Sequence, residues 1–200
     1  MVRPTIIEYI GPAGAGKTTL ARKRIRESRA RGEEVLTYNY YHKNLLKLIL
    51  DLLNLLFLLI TKDKQVNVYE NLFLDRVYFH KKAIQTVYLL FVFVKIKRLI
   101  KEAKKNNIQK IILDQGFVQK IFALLMGGLI QERKVTKHLF SWIREDSYFV
   151  IKRISVTPSV ACERRIKRQS RIDIDKSRGE IISETVQAEL ILSKIVRVTS

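Results

Sequence analysis

The stretch Gly11-Pro12-Ala13-Gly14-Ala15-Gly16-Lys17-Thr18 decides the fold of this 200-residue chain. It matches the pattern G-x-x-x-x-G-K-[ST], whose small residues let successive backbone N–H groups point inward at a polyphosphate. Residues 5–10 before it are mostly apolar and β-branched, which predicts a buried strand, and a helix is expected from about Lys17 to Arg31. The sequence therefore predicts a phosphate-binding loop between a strand and a helix.

Nucleotide contacts are expected from the loop and the first turn of the helix: Gly11, Ala13, Gly14, Ala15, Gly16, Lys17, Thr18 and Thr19. The helix N-terminus adds partial positive charge, Lys17 supplies an ammonium to the β- and γ-phosphates, and the Thr18 hydroxyl would ligate Mg²⁺. The flanking elements favour this interpretation over an incidental glycine turn. ATP and Mg²⁺ are therefore the expected cofactors.

Four further segments are predicted as strands, namely 34–38, 110–114, 148–156 and 195–199. The strand-helix-strand order of the first forty residues makes the strands parallel. No repeat or Pro/Ser-rich linker divides the chain. The predicted fold class is α/β, a P-loop three-layer fold with a five-stranded parallel sheet flanked by helices, in a single domain over residues 1–200.

Asp114 ends the apolar segment Ile111-Ile112-Leu113, which has the form of a Walker B element. Ligands of an open parallel sheet bind at the carboxyl ends of its strands, so Asp114 and the loop after Ile10 are expected side by side. Asp114 would hold the Mg²⁺ hydration shell or orient and deprotonate an attacking hydroxyl. A helix-capping Asp at a strand-helix junction is the alternative.

Composition limits the class of protein and of partner. With 38 Lys and Arg against 19 Asp and Glu the net charge is +19, yet 47% of the residues are hydrophobic, which excludes a disordered basic tail. A single cysteine cannot form an internal disulfide, and the N-terminus runs directly into strand-like sequence, so a cytoplasmic location is expected. The charge implies acidic partners: small-molecule phosphates, nucleic acid or anionic lipid.

Residues 45–60 hold thirteen apolar residues in sixteen, interrupted by Lys47, Asp51 and Asn54. On a helix these three form one narrow polar stripe, so most of the circumference is apolar and must be covered. At ~1.5 Å per residue the segment reaches roughly 24 Å, too short for the ~30 Å hydrocarbon core of a bilayer. A helix pair with the second apolar run, 87–94, is expected, and peripheral membrane or protein contact through 45–60 is the alternative.

Three separated pieces besides the loop follow one another in the chain: Leu113-Asp114-Gln115-Gly116, then 156–168, then Ser170-Arg171-Ile172-Asp173. They resemble the nucleoside-monophosphate kinase group of P-loop proteins, and within it the thymidylate-kinase-like members. The resemblance implies a five-stranded parallel sheet and a basic lid at about 158–178 whose arginines close over the phosphates. Residues 42–105 match the group poorly and are predicted to be an atypical hydrophobic helical insert.

The predicted lid is rich in cations within eight positions: Arg164, Arg165, Lys167, Arg168 and Arg171. On a helix, Arg164, Arg168 and Arg171 share one face because they are spaced four and three apart. An arginine delivered to a transferring phosphoryl group stabilises its dispersed charge. The predicted catalytic residues are therefore Lys17, Asp114, Arg164 and Arg168, with a solvated or nucleic-acid-facing basic stripe as the alternative for the arginines.

The acceptor is less defined than the nucleotide. The similar kinases usually carry Asp-Arg at the end of the Walker B strand, whereas this chain has Asp114-Gln115. Asp75-Arg76 resembles the substrate-phosphate arginine of thymidylate kinases, although an ordinary surface pair has the same appearance. The candidate substrate contacts are Arg76, Gln115 and Arg171.

These observations predict a kinase that transfers the γ-phosphoryl group of ATP to a small-molecule acceptor, with a nucleotide among the candidates. The charge of +19 motivates the alternative of a nucleic-acid-binding or membrane-associated nucleotide-dependent protein, such as a polynucleotide-end kinase. The sequence carries no ribonucleoprotein-type aromatic signature, which favours the small-molecule kinase.

Overall fold

A computed structural model describes residues 2–37, 45–61, 64–74, 77–167 and 176–199. Its strands are β1 (Thr5–Ile10), β2 (Val35–Thr37), β3 (Lys110–Leu113) and β4 (Tyr148–Arg153). They form one parallel sheet in the order β2-β3-β1-β4. The α/β class with a parallel sheet is therefore confirmed.

Eight α-helices accompany the sheet within the described ranges: α1 (Lys17–Ala30), α2 (Leu45–Ile60), α3 (Lys64–Glu70), α4 (Phe79–Lys105), α5 (Phe117–Met126), α6 (Ser141–Asp146), α7 (Pro158–Lys167) and α8 (Arg178–Thr199). Two short 3₁₀ turns, Glu132–Lys134 and Lys137–Phe140, lie between α5 and α6. The predicted helix at 45–60 is present as α2, and it packs on α4.

The two faces of the sheet are covered unequally. Ile111 and Leu113 of β3 point into the larger core, which α3, α4, α5 and α8 cover, whereas Ile112 points into a small cluster with Ala21 of α1. This alternation follows from the two-residue period of a strand. The inner strands β1 and β3 are mostly apolar, as strands covered on both faces require, whereas the edge strand β4 is partly exposed.

The prediction of a fifth strand at 195–199 was wrong: within the described residues the sheet has four strands, and α8 runs through this segment. The buried positions of α8 explain the result, because Ile181, Thr185, Ala188, Leu192 and Ile195 recur every three or four residues. That is the period of a helix, and it packs α8 along α5 and α7. The β-branched residues at 195–199 favour a strand only locally, and packing overrides that preference.

The other boundaries differ by a few residues. β4 ends at Arg153 rather than at 156, and β2 (Val35–Thr37) begins one residue later than predicted, while residue 38 lies outside the described residues. The division into a kinase-like body, an insert at 42–105 and a lid at 158–178 stays a prediction.

Candidate active site around the phosphate loop

The phosphate loop joins β1 to α1, and its glycines are required by conformation and by space. Gly14 and Gly16 have φ of +83° and +88°, in the left-handed region that favours glycine. At Gly14 a Cβ would also lie 2.8 Å from the carbonyl oxygen of Ala161 in α7. The loop is therefore packed tightly beneath the helix that begins the predicted lid.

Lys17 is the first residue of α1 and folds back over the loop. Its Nζ donates hydrogen bonds to the carbonyl oxygens of Gly11, at 2.8 Å, and Pro12, at 2.9 Å. The ammonium is thereby held at the mouth of the loop, next to the backbone groups expected to surround a polyphosphate.

Asp114 follows β3 directly and is half-buried. The register pairs Glu8 of β1 with Leu113, so Asp114 emerges at the edge of the sheet from which the phosphate loop also starts. Asp114 presents a carboxylate at this edge, and Thr18 presents a hydroxyl in the first turn of α1. Oxygens of this kind are the ligands that Mg²⁺ prefers, so both residues fit a nucleotide-bound Mg²⁺.

Helix α7 brings one of the predicted lid arginines to the loop. Arg164 Nη1 donates a hydrogen bond to the carbonyl oxygen of Gly14 at 3.3 Å. The neighbouring Arg165 turns away, is buried, and pairs with Glu184 of α8 at 2.9 Å. Lys176 pairs with the other carboxylate oxygen of Glu184. The predicted cluster thus divides into a loop-facing arginine and an arginine that ties α7 to α8.

Three sequence candidates fall outside the described residues: Arg76, Arg168 and Arg171. Their assignments as a substrate contact, a catalytic lid arginine and a further lid contact stay predictions.

Glu8 belongs to the site although the sequence analysis did not find it. It lies in β1, is fully buried, and accepts a hydrogen bond from the backbone N–H of Gln119 at 2.7 Å. Burial raises its pKa to about 7, against the lowering effect of backbone N–H groups of residues 116–119. The carboxylate therefore sits on the N-terminus of α5, where backbone donors and the helix dipole favour negative charge.

Gly116 and Gln119 connect Glu8 to the phosphate loop. A Cβ at Gly116 would lie 2.4 Å from the Glu8 carboxylate, so only glycine leaves room for it. The Gln119 side chain accepts a hydrogen bond through Oε1 from the backbone N–H of Gly11 at 3.2 Å. The Glu8 carboxylate thus joins β1 to α5, and the Gln119 side chain joins α5 to the start of the loop.

A cavity of about 250 Å³ opens beside Lys17 between α4 and α5. Its lining comprises Lys17, Tyr88, Val92, Gln115, Gly116, Gln119, Lys120 and Ala123. The Lys120 ammonium lies 3.9 Å from the centre of the Tyr88 ring, and burial lowers the pKa of Lys120. Gln115, a predicted substrate contact, is in this cavity, whereas Tyr88 and Lys120 were missed because they come from two different helices.

No family model matches the sequence, and no curated protein matches it. Among solved structures the chain is similar to deoxyadenosine kinase from M. mycoides with bound dATP, at 16% identity and a TM-score of 0.47 over 96% of this chain and 86% of that one. The structure of that kinase with bound dCTP gives 16% identity and a TM-score of 0.41 over 96% and 85% of the two chains. Its structure with the products dCMP and a flexible dCDP gives 14% and 0.41 over the same shares. The thymidylate-kinase-like resemblance stays a prediction.

Proposed function

We propose that this chain is a kinase that transfers the γ-phosphoryl group of ATP to a small-molecule acceptor. The observation that carries the proposal is the position of Lys17, which belongs to the phosphate loop and also lines the cavity between α4 and α5. A phosphate-binding group at the border of a separate pocket is the arrangement that phosphoryl transfer between two bound molecules needs.

On the nucleotide side, backbone N–H groups of the loop and the N-terminus of α1 would hold the polyphosphate. The Lys17 ammonium would exchange its bonds to Gly11 and Pro12 for bonds to the β- and γ-phosphates. Thr18 and Asp114 would hold Mg²⁺, whose chemistry when bound is to neutralise charge that develops on the phosphates. Gly11, Ala13, Gly14, Ala15, Gly16 and Thr19 complete the proposed nucleotide contacts.

On the acceptor side, the cavity offers an aromatic ring, two amides and a cation: Tyr88, Gln115, Gln119 and Lys120. As an alternative to holding Mg²⁺, Asp114 would orient the acceptor hydroxyl and take its proton as the new bond to the γ-phosphorus forms and the bond from that phosphorus to the bridging oxygen of ADP breaks. Arg164, already bonded to the loop at Gly14, would stabilise charge on the transferring group, an effect of ~10³ or more in rate when fully realised. Arg168 is proposed for the same role, and Arg76 and Arg171 as further acceptor contacts.

The test is a screen of small hydroxyl and phosphate compounds for ATP-dependent phosphorylation, with the wild type and Lys17→Ala in parallel. Lys17→Ala removes the charge on the β- and γ-phosphates without disturbing a buried side chain, so ATP affinity and turnover should fall steeply at unchanged thermal stability. Lys23→Ala, an exposed cation on the same helix, is the matched control and should behave as wild type. Unchanged ATP affinity and turnover in Lys17→Ala would remove the phosphate-loop assignment.

A second candidate, a polynucleotide-end kinase, is favoured by the outer surface of α1. Five basic side chains of this helix are exposed: Arg22, Lys23, Arg24, Arg26 and Arg29. Helix α1 starts at the phosphate loop, so a polyanion on this surface would lie close to a bound nucleotide. The salt dependence of nucleic-acid binding separates the two functions.

A further inference from the structure

Helix α2 turns one charged side chain, Asp51, toward the protein together with the apolar Leu55, and it turns a broad apolar surface toward the outside. Asp51 has only 1% of its side chain exposed, and Arg98 of α4 pairs with it at 2.8 Å. Lys95 of α4 is also buried, and its charge acts on Asp51. A helix that faces water on one side normally turns its charged residues outward, whereas α2 buries Asp51 and exposes several leucines.

The outward surface of α2 is almost entirely apolar. Between residues 49 and 60 the exposed apolar side chains are Ile49, Leu50, Leu52, Leu53, Leu56, Phe57 and Ile60. Asn54 is the one exposed polar side chain within those twelve positions. We call these seven apolar residues the outer face of α2. Such a contiguous face marks an interaction site rather than a water-exposed surface.

The pair between Asp51 and Arg98 fixes the rotation of α2 about its axis. Turning α2 by half a turn would bury the outer leucines, but it would expose Leu55 and pull the buried Asp51 carboxylate away from Arg98. Separating a buried charge from its partner is destabilising. The pair therefore holds the outer face outward, where its apolar side chains are available to an apolar environment.

Charge decides between the two most obvious partners. A second copy of this chain would bring a net charge of +19 against +19, whereas an anionic lipid surface complements it. An exposed cation also follows α2 closely in the chain, because Lys64 opens α3 four residues after Ile60. An apolar helix face combined with cationic residues is the pattern of helices that lie in the headgroup region of anionic membranes.

We propose that the outer face of α2 docks this protein on an anionic bilayer, with the helix lying in the plane of the interface. No described helix is both long and apolar enough to cross a membrane. The sixteen residues of α2 would lie flat, with Leu53 and Phe57 reaching the boundary between headgroups and acyl chains. This surface lies outside the proposed active site, so membrane docking does not depend on kinase activity.

The experiment must separate apolar docking from adsorption by charge, because a chain of +19 binds anionic vesicles by charge alone. The variant pair Leu53→Gln with Phe57→Gln keeps the net charge and removes two residues of the outer face, which are 56% and 64% exposed. The matched control is Val186→Gln with Leu190→Gln on α8, which has the same spacing and 46% and 61% exposure. Glutamine is a good helix former, so all four substitutions preserve helix propensity.

Flotation is measured with vesicles of phosphatidylglycerol mixed with phosphatidylcholine at physiological salt. We expect the α2 pair to lower vesicle affinity by about tenfold or more and the α8 pair to change it by less than about twofold. Circular dichroism melts of both pairs establish that each is folded. In a separate Phe57→Trp protein, the added tryptophan emission should shift to the blue with anionic vesicles and be quenched by brominated lipid.

Three results would overturn the proposal. The first is a wild type that does not float with anionic vesicles. The second is an equal loss of vesicle affinity in the two variant pairs, because binding would then be adsorption by charge only. The third is a wild-type dimer in sedimentation analysis that the α2 pair converts to monomer, because the outer face would then belong to a second copy of the chain.

Discussion

At the scale of single residues, Glu8 has the most unusual environment in the site. It occupies the face of β1 that Ile6 and Ile10 also occupy, where an apolar side chain is the ordinary choice. Its carboxylate is tolerated because the N-terminus of α5 supplies backbone donors, and through Gln119 it also positions Gly11. A buried ionisable group that supports the phosphate loop should make stability and loop geometry depend on pH.

We expect Glu8→Gln to flatten the pH dependence of stability. Because burial raises the pKa from 4.5 to about 7, the folded protein keeps a proton on Glu8 in this range that the unfolded chain has lost. That proton makes its full contribution to the free energy of unfolding below pH 4.5, and the contribution is lost as the pH rises through about 7. The loss amounts to at most ~3 kcal/mol. Denaturant unfolding of both proteins at pH 5 and pH 8 measures it, and parallel losses in the two proteins would contradict this environment for Glu8.

Asp114→Asn should lower Mg²⁺-dependent turnover by about 10²-fold while ATP affinity changes little. The carboxylate acts through the metal and the acceptor proton, whereas most of the contacts to ATP come from the loop. Calorimetry with ATP and steady-state turnover at several Mg²⁺ concentrations measure the two effects separately. Normal turnover in this variant would leave Asp114 as a cap between β3 and α5.

At the scale of elements, α7 carries two adjacent arginines that should respond in opposite ways. Arg164→Ala removes the contact to Gly14 and should lower kcat by up to ~10³ with little change in stability or ATP affinity. Arg165→Ala breaks the pair with Glu184, whose side chain is 36% exposed, and should cost about 1 kcal/mol of unfolding free energy. Steady-state turnover and thermal unfolding, measured on both variants, separate the catalytic effect from the effect on stability. Full turnover in Arg164→Ala would take α7 out of the mechanism.

The elements that sequence could predict are those in which local pattern and packing agree. The loop between β1 and α1, and the apolar run Ile111-Ile112-Leu113 ending at Asp114, each combine residue type with a flanking element. The segment 195–199 failed because its β-branched residues favour a strand locally, whereas Leu192 and Ile195 belong to the helical stripe of α8.

The connections between elements were harder to predict than the elements. Glu8 gave a signal, since an acidic residue between Ile6 and Ile10 on one strand face needs a buried donor, but the sequence does not say that α5 supplies it. Tyr88 and Lys120 meet only because α4 and α5 flank one cavity. Their contact depends on helix packing, which no local spacing encodes.

At the scale of the whole molecule, the net charge of +19 favours binding either of a polyanionic substrate or of an anionic membrane surface away from the proposed active site. The described acidic side chains are used largely in ion pairs, as Asp146 is with Lys97 and Lys104. The exposed cations of α1 are therefore balanced only in part, with Glu27 serving both Lys23 and Arg24. A long-range positive potential should surround the phosphate loop and draw ATP toward it.

Substitutions on α1 test whether that potential recognises a polymer. Arg22, Arg26 and Arg29 share one face by their spacing of four and three, are exposed, and lie outside the proposed machinery. Replacing all three with Gln should weaken binding of single-stranded RNA and lower the slope of log affinity against log salt by about 2, because each phosphate contact contributes ~0.7. Turnover of a small-molecule acceptor should not change, since the cavity beside Lys17 is intact.

A polynucleotide-end kinase would respond differently. The wild type would phosphorylate RNA ends, and the triple variant would have a higher KM for RNA at unchanged kcat. The measurements are salt titrations of RNA binding and steady-state turnover with RNA and with small-molecule acceptors, each on the wild type and the triple variant. A rise in the KM for RNA identifies a polynucleotide-end kinase, and an unchanged KM for the small molecule identifies a small-molecule kinase.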